Sequence, residues 1–194
     1  MSVRPVTVSG REGEGREERS MKGEKAKDRN ITKKNGEGMS YEKKYMDRAV
    51  ALALENIDQG GGPFGCVIVK DGEIVSEGVN RVTSRHDPTS HAEVNAIRLA
   101  CEKLGTYRLD GCELYASCEP CPMCLGAIYW SHVSALYYAS SREDAEGAGF
   151  DDALIYRELC TEVGERLLPT SRHPMRKADD VFLKWKKTTD KTEY

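Results

Sequence analysis

Nowhere does the chain carry an apolar run long enough to span a bilayer, which excludes a helical membrane protein. No apolar segment follows the first basic residue, so a secretory signal is not expected. Residues 1–38 hold almost no large apolar side chains, but they do hold ten basic residues, seven acidic residues and six glycines. A segment of that kind cannot bury enough apolar surface to offset the entropy of ordering it, so it reads as a disordered extension. Its acidic residues also make it a poor organelle-targeting peptide. The folded domain is expected over residues 39–194, where 19 basic and 25 acidic residues leave a formal charge of −6. That balance lacks the clustered positive charge on which tight nucleic-acid binding draws. The seven cysteines are odd in number and follow no signal, so a reducing cytoplasm is the expected setting.

What is present reads as alternating helices and strands. Ser40 can cap a helix running to about Ile57, in which Tyr45, Met46, Ala49, Val50, Ala53 and Ile57 recur at helical spacing. The segment "CVIVKDGEIVSEG" reads as two β-rich runs around "KDG", a hairpin by turn chemistry, and "NRVTSRHDPTS" as a loop. A helix capped by Thr89 or Ser90 follows from His91 to a stop at Gly105. Then come the strand "CELYAS", a helix entered through Pro120 and Pro122, and the strand "VSALYYAS". Short helical pieces around a glycine turn follow, with the apolar "VFLKW" near the end. This order predicts a mixed sheet covered by helices.

Two helix starts carry the chemistry. His91 opens one, with Glu93 two residues on; Cys121 opens the other, with Cys124 one turn further. The i, i+3 spacing puts Cys121 and Cys124 on one face. One imidazole and two thiolates suit zinc and leave a fourth tetrahedral position for water. Helix N-termini aimed at the metal favour thiolates and hydroxide, and Glu93 can carry protons without binding the metal. A thioredoxin-type pair would explain "CPMC" but not "HAE". A four-cysteine structural knuckle would need a second close pair, and Cys118 has the wrong spacing for it. Cys66, Cys101, Cys112, Cys160 and Trp130 are expected in the core, Cys118 there or beside the metal ligands.

"HAE" followed thirty residues later by "PCPMC" resembles the H-x-E … P-C-x-x-C signature of the zinc nucleoside and nucleobase deaminases. Three further stretches, "GGPFGCVIVKDG" onward, "LYASCEPCPMCLGAIYW" and "AGFDDALIY", are similar to the bacterial guanine deaminase branch. The similarity begins at about Met39. It implies a three-layer α/β/α cytidine-deaminase-like fold with a mixed five-stranded sheet. It implies one zinc per subunit on His91, Cys121 and Cys124, with Glu93 as proton shuttle to a zinc-activated hydroxide. The implied reaction is hydrolysis of guanine to xanthine and ammonia.

By their residue types alone, Asn80 suits a left-handed turn, Asp152 a helix cap, Phe64 a core position and Tyr194 a frayed end. The resemblance implies instead that Asn80 hydrogen-bonds the purine and Asp152 reads guanine. It further implies that Phe64 walls the pocket and that Tyr194 closes it, from the partner chain of a swapped homodimer. Cys66 departs from the alanine usual after "PFG". Glu158 is a second candidate proton carrier, whereas Glu143, Asp144 and Glu146 read as a solvated face. The alternatives are deamination of guanosine, isocytosine or an aminotriazine, deamination of adenosine in tRNA, and a zinc-binding interaction module without turnover. Retention of Glu93 argues against the last.

Overall fold

The computed structural model describes residues 40–193. The extension read at residues 1–38 and the terminal Tyr194 lie outside the described residues. The first helix, α1, spans Lys43–Asp58. Its N-cap is Glu42 rather than Ser40, and no side chain caps it locally. The Glu42 N–H donates to the Tyr115 hydroxyl at 3.2 Å, so a tertiary contact satisfies one of the open helix donors.

Strands β1 (Gly65–Lys70) and β2 (Glu73–Val79) form the expected hairpin. Its two turn residues, Asp71 and Gly72, both adopt left-handed φ values, 52° and 78°. That pairing matches the right-handed twist of the flanking strands. The following segment, read as loop, contains a one-turn helix, α2 (Val82–Arg85). Next come α3 (Ala92–Leu104), β3 (Cys112–Cys118), α4 (Pro122–Trp130) and β4 (Ala135–Ser140). Gly105 stops α3 in the left-handed conformation, as read from the sequence. The chain ends in α5 (Arg142–Gly147), α6 (Ala153–Cys160), a short 3₁₀ turn and α7 (Arg176–Lys187).

The sheet order is β2-β1-β3-β4, antiparallel except for the parallel β3–β4 pair. The mixed sheet is therefore observed, but among the described residues it has four strands rather than five. Downstream of β4 the apolar run Ala153–Tyr156 lies in α6, and Leu167–Leu168 is flanked by Arg166 and Pro169. The described chain there is helical or irregular.

Alternation along β1 and β3 divides the core into two layers. Cys66, Ile68, Leu114 and Ala116 face α3 and α4, whereas Val67, Val69 and Tyr115 face α1. Cys112 also joins the core; Cys101 is half-buried at its edge, but Cys160 is exposed, contrary to expectation. Trp130 is likewise 65 % exposed rather than core. On α1 the buried stripe runs through Met46, Ala49, Leu52, Ala53 and Asn56, leaving Val50 and Ile57 exposed.

One close approach sets the position of the site. A Cβ on Gly78 of β2 would lie 2.2 Å from the Ala92 carbonyl oxygen. Only glycine lets the first turn of α3 sit this close to the sheet.

Candidate active site

His91 and Cys121 occupy equivalent places, each the extended N-cap residue of its helix, α3 and α4 respectively. Neither uses its side chain to cap. Pro122 at the first position of α4 fits there because it has no N–H to leave unpaired. Cys124 follows one turn into α4 and is fully buried. The fold thus brings two helix starts, thirty residues apart in sequence, to one point.

The ligating atoms of His91, Cys121 and Cys124 all lie within 4.8 Å of one another. His91 Nδ1 is 3.6 Å from Cys121 Sγ and 3.5 Å from Cys124 Sγ. Zinc bonds of about 2.05 Å to nitrogen and about 2.3 Å to sulfur, set at a tetrahedral angle, separate the two donors by about 3.6 Å. The donor set therefore fits zinc in both chemistry and spacing. No fourth protein ligand joins the cluster among the described residues.

The electrostatics favour an anionic sulfur at this point. Pairing with the Cys124 thiol and then with His91 pulls Cys121 down to about 4. Cys124 is pushed up by the same Cys121 pairing and by burial. The bond to Cys121 raises His91. Glu93, on the first turn of α3 and only 8 % exposed, is raised chiefly by burial. Its Oε2 accepts from Cys124 Sγ at 3.4 Å.

The site opens into a cavity of about 590 Å³. Phe64, Asn80 and Asp152, all named from the sequence, line it together with His91, Glu93 and Cys121. Asn80 is not left-handed. Its N–H donates to Phe64 O and its Oδ1 accepts from the Val82 N–H at 3.2 Å, which orients the amide; its nitrogen has no hydrogen-bond partner among the described residues. Asp152 is the N-cap residue of α6 but makes no side-chain cap bond; Asp151 instead accepts from the Ala153 N–H. Burial, and then the Cys121 sulfur, raise Asp152.

Three features escaped the sequence reading. Phe150 stacks edge-on against Phe64, with ring centres 4.9 Å apart, and completes that wall. Arg142 lines the same cavity and lies over the Tyr156 ring. Tyr156 donates to Pro120 O, tying α6 to the segment that enters α4. Cys118 lines the cavity and donates to Ser141 O. Glu158 is not in the wall; it accepts from the Leu167 N–H.

Comparison with known proteins agrees with this geometry. Residues 39–140 match the cytidine and deoxycytidylate deaminase zinc-binding region. The chain is 52 % identical to the guanine deaminase of Bacillus subtilis over 151 residues, 77 % of this chain and 97 % of that protein. The crystal structure of guanine deaminase from B. subtilis is similar with a TM-score of 0.78 at 51 % identity, covering 80 % of this chain and 99 % of that one. Identity to the tRNA-specific adenosine deaminase of Agrobacterium fabrum is 36 % over 110 residues, 57 % of this chain and 71 % of that protein. With more than half of its length inside the matched region, and a zinc-compatible donor set at two converging helix starts, this chain belongs to the cytidine and deoxycytidylate deaminase family.

Proposed function

We propose that the protein hydrolyses guanine to xanthine and ammonia. The observation that carries this reading is a buried carboxylate, Glu93, beside the three donors, facing a cavity walled by Phe64, Asn80 and Asp152. The near full-length similarity to guanine deaminase of B. subtilis supports it.

Zinc on His91, Cys121 and Cys124 supplies Lewis-acid activation of water when bound. Glu93 accepts the proton of the attacking water and hands it to N3 of the purine, which makes C2 more electrophilic. It then takes the remaining hydroxyl proton from the oxygen added at C2 and delivers it to the departing amino group, so that guanine and water give xanthine and ammonia. Phe64 and Phe150 present apolar faces to a flat ring. Asn80, its oxygen already engaged by Val82, serves as a donor, and Asp152 accepts from the N–H edge of guanine. A base with the wrong edge would leave these groups unpaired and be rejected.

The deaminase domain occupies residues 39–194, and it works as a homodimer with exchanged C-terminal segments. The apolar face of α7 supports this: Val181, Phe182 and Trp185 share one side of the helix and are all exposed, Phe182 by 69 %. An amphipathic helix so placed calls for a covering surface. In the swapped dimer Tyr194 closes the partner's pocket.

The deciding experiment is a panel of guanine, guanosine, adenine, cytosine, isocytosine and an adenosine-containing tRNA. Zinc-replete protein is assayed by ultraviolet absorbance and ammonia release. Conversion of guanine to xanthine supports the reading. Turnover of tRNA adenosine in place of guanine overturns it.

A further inference from the structure

Asn56 lies on the last turn of α1, outside the cavity, and is 1 % exposed. Its Nδ2 donates twice, to Gly62 O at 2.8 Å and to Asn80 O at 2.8 Å. Its Oδ1 has no hydrogen-bond partner among the described residues. A buried amide with an orphaned oxygen is a costly way to fill space, and leucine would occupy a similar volume without that cost. Leucine would, however, leave the Gly62 and Asn80 carbonyls without these donors. The two N–H bonds are what the position requires of its side chain.

The surrounding backbone is built to this amide. A Cβ on Gly61 would lie 2.2 Å from Asn56 Nδ2, so the loop rests directly on the side chain. A Cβ on Gly62 would lie 3.0 Å from Asn80 Cγ. Gly60, Gly61, Gly62 and Asn80 all line the cavity, and Asn56 ties the loop to the strand end. From the other side, Asn95 of α3 donates to the neighbouring carbonyl, Val79 O, at 2.8 Å. Asn95 also bonds Ser90, the residue before His91. Two consecutive carbonyls at the end of β2 are thus held by amides from two helices on opposite faces of the sheet.

We propose that Asn56 is a positioning residue for substrate, setting Asn80 and the 60–62 loop as one rigid wall without touching the base. This rests on the reading of Asn80 as a substrate contact. Asn56 belongs to binding, and its neighbour in role, Asn95, reaches towards the metal side instead.

The test is a double-mutant cycle on the full chain. Asn56→Ala is made alone and with Asn80→Ala, and guanine kinetics, zinc content and thermal melting are recorded. Asn56→Ala is expected to raise KM about tenfold, the scale of one lost hydrogen bond, with kcat falling less than about threefold and zinc unchanged. In the Asn80→Ala background the same change is expected to add less than about twofold, because its route to substrate is gone. Equal losses in both backgrounds, or a loss of zinc and kcat with KM unmoved, would overturn the proposal. If Asn56→Ala does not fold, Gly61→Ala carries the same cycle, since its methyl group displaces the amide instead of deleting it. The guanine reading fails separately: wild-type protein idle on guanine but active on another amino-heterocycle overturns that reading. The cycle is then run on that substrate, where independent losses from positions 56 and 80 again overturn the role of Asn56.

Discussion

The Glu93 carboxylate stands 3.4 Å from the Cys124 sulfur, yet it is not one of the three converging donors. The separation arises from where α3 begins. His91 is the extended residue before the helix and Glu93 lies inside the first turn, so the two approach the same point at different reach. Glu93→Ala is therefore expected to keep zinc at the wild-type ratio and to lower kcat by about 10³-fold, the scale of a lost general acid–base group. Metal analysis and ammonia release check both halves. Near-normal turnover would remove Glu93 from the mechanism.

Asp152 offers the converse test, of recognition rather than chemistry. It sits at the start of α6 without making a cap bond, so the helix loses little when it is removed. Asp152→Ala is expected to lower kcat/KM for guanine by about 10- to 100-fold, as for loss of a hydrogen bond to a charged group. The melting temperature should move little. Unchanged guanine kinetics would refute a guanine-reading role.

The contact between Gly78 and Ala92 links stability to the metal. A methyl group on Gly78 must push the start of α3 off the sheet, because its nearest contact is backbone. Gly78→Ala is expected to cost about 1–3 kcal/mol, the usual range for overpacking. It should also weaken zinc retention, since His91 opens the same helix. Loss of stability with zinc affinity intact would show that the metal site does not depend on this contact.

The metal donors were legible because proline placement and i, i+3 spacing are local signals, whereas the cap expected at Thr89 or Ser90 is His91 itself, which makes no side-chain cap bond. The β1–β2 hairpin was legible for the same reason, its turn needing two left-handed residues at Asp71 and Gly72. Asn56 was not legible. Helical spacing placed Ile57 on the buried face, whereas the true stripe carries Asn56, whose bonding partners lie 6 and 24 residues away. Phe150 was missed because only tertiary packing brings it to Phe64. Trp130 was misplaced because apolar character does not distinguish an interior from a surface that another chain can cover.

That last distinction bears on the proposed exchange of C-terminal segments. Deleting Tyr194 is expected to lower guanine turnover while leaving zinc content unchanged. Protein beginning at Met39 is expected to retain full turnover. Sedimentation of wild-type protein should give a dimer. An active monomer, indifferent to loss of Tyr194, would dismiss the exchanged tail.

A pH-dependent stability follows from the pair that joins α1 to β2. Arg48 donates to both Glu77 oxygens, at 2.7 and 2.8 Å, and this contact holds the Glu77 carboxyl below its ordinary value. A depressed carboxyl stabilises the fold above its unfolded pKa, and that contribution is lost as pH falls through the lower, folded value. Both side chains remain about a third exposed, so water screens the pair and its worth is about 0.2–1 kcal/mol. Glu77→Gln should therefore lower stability by that amount near neutral pH. The gap from wild type should close as pH is lowered from about 7 towards about 3, because protonation then removes the same charge from wild type. Urea melts of both proteins across that range measure the gap directly. A gap that stays constant with pH would mean that side-chain packing, and not the ion pair, joins α1 to β2 at this point.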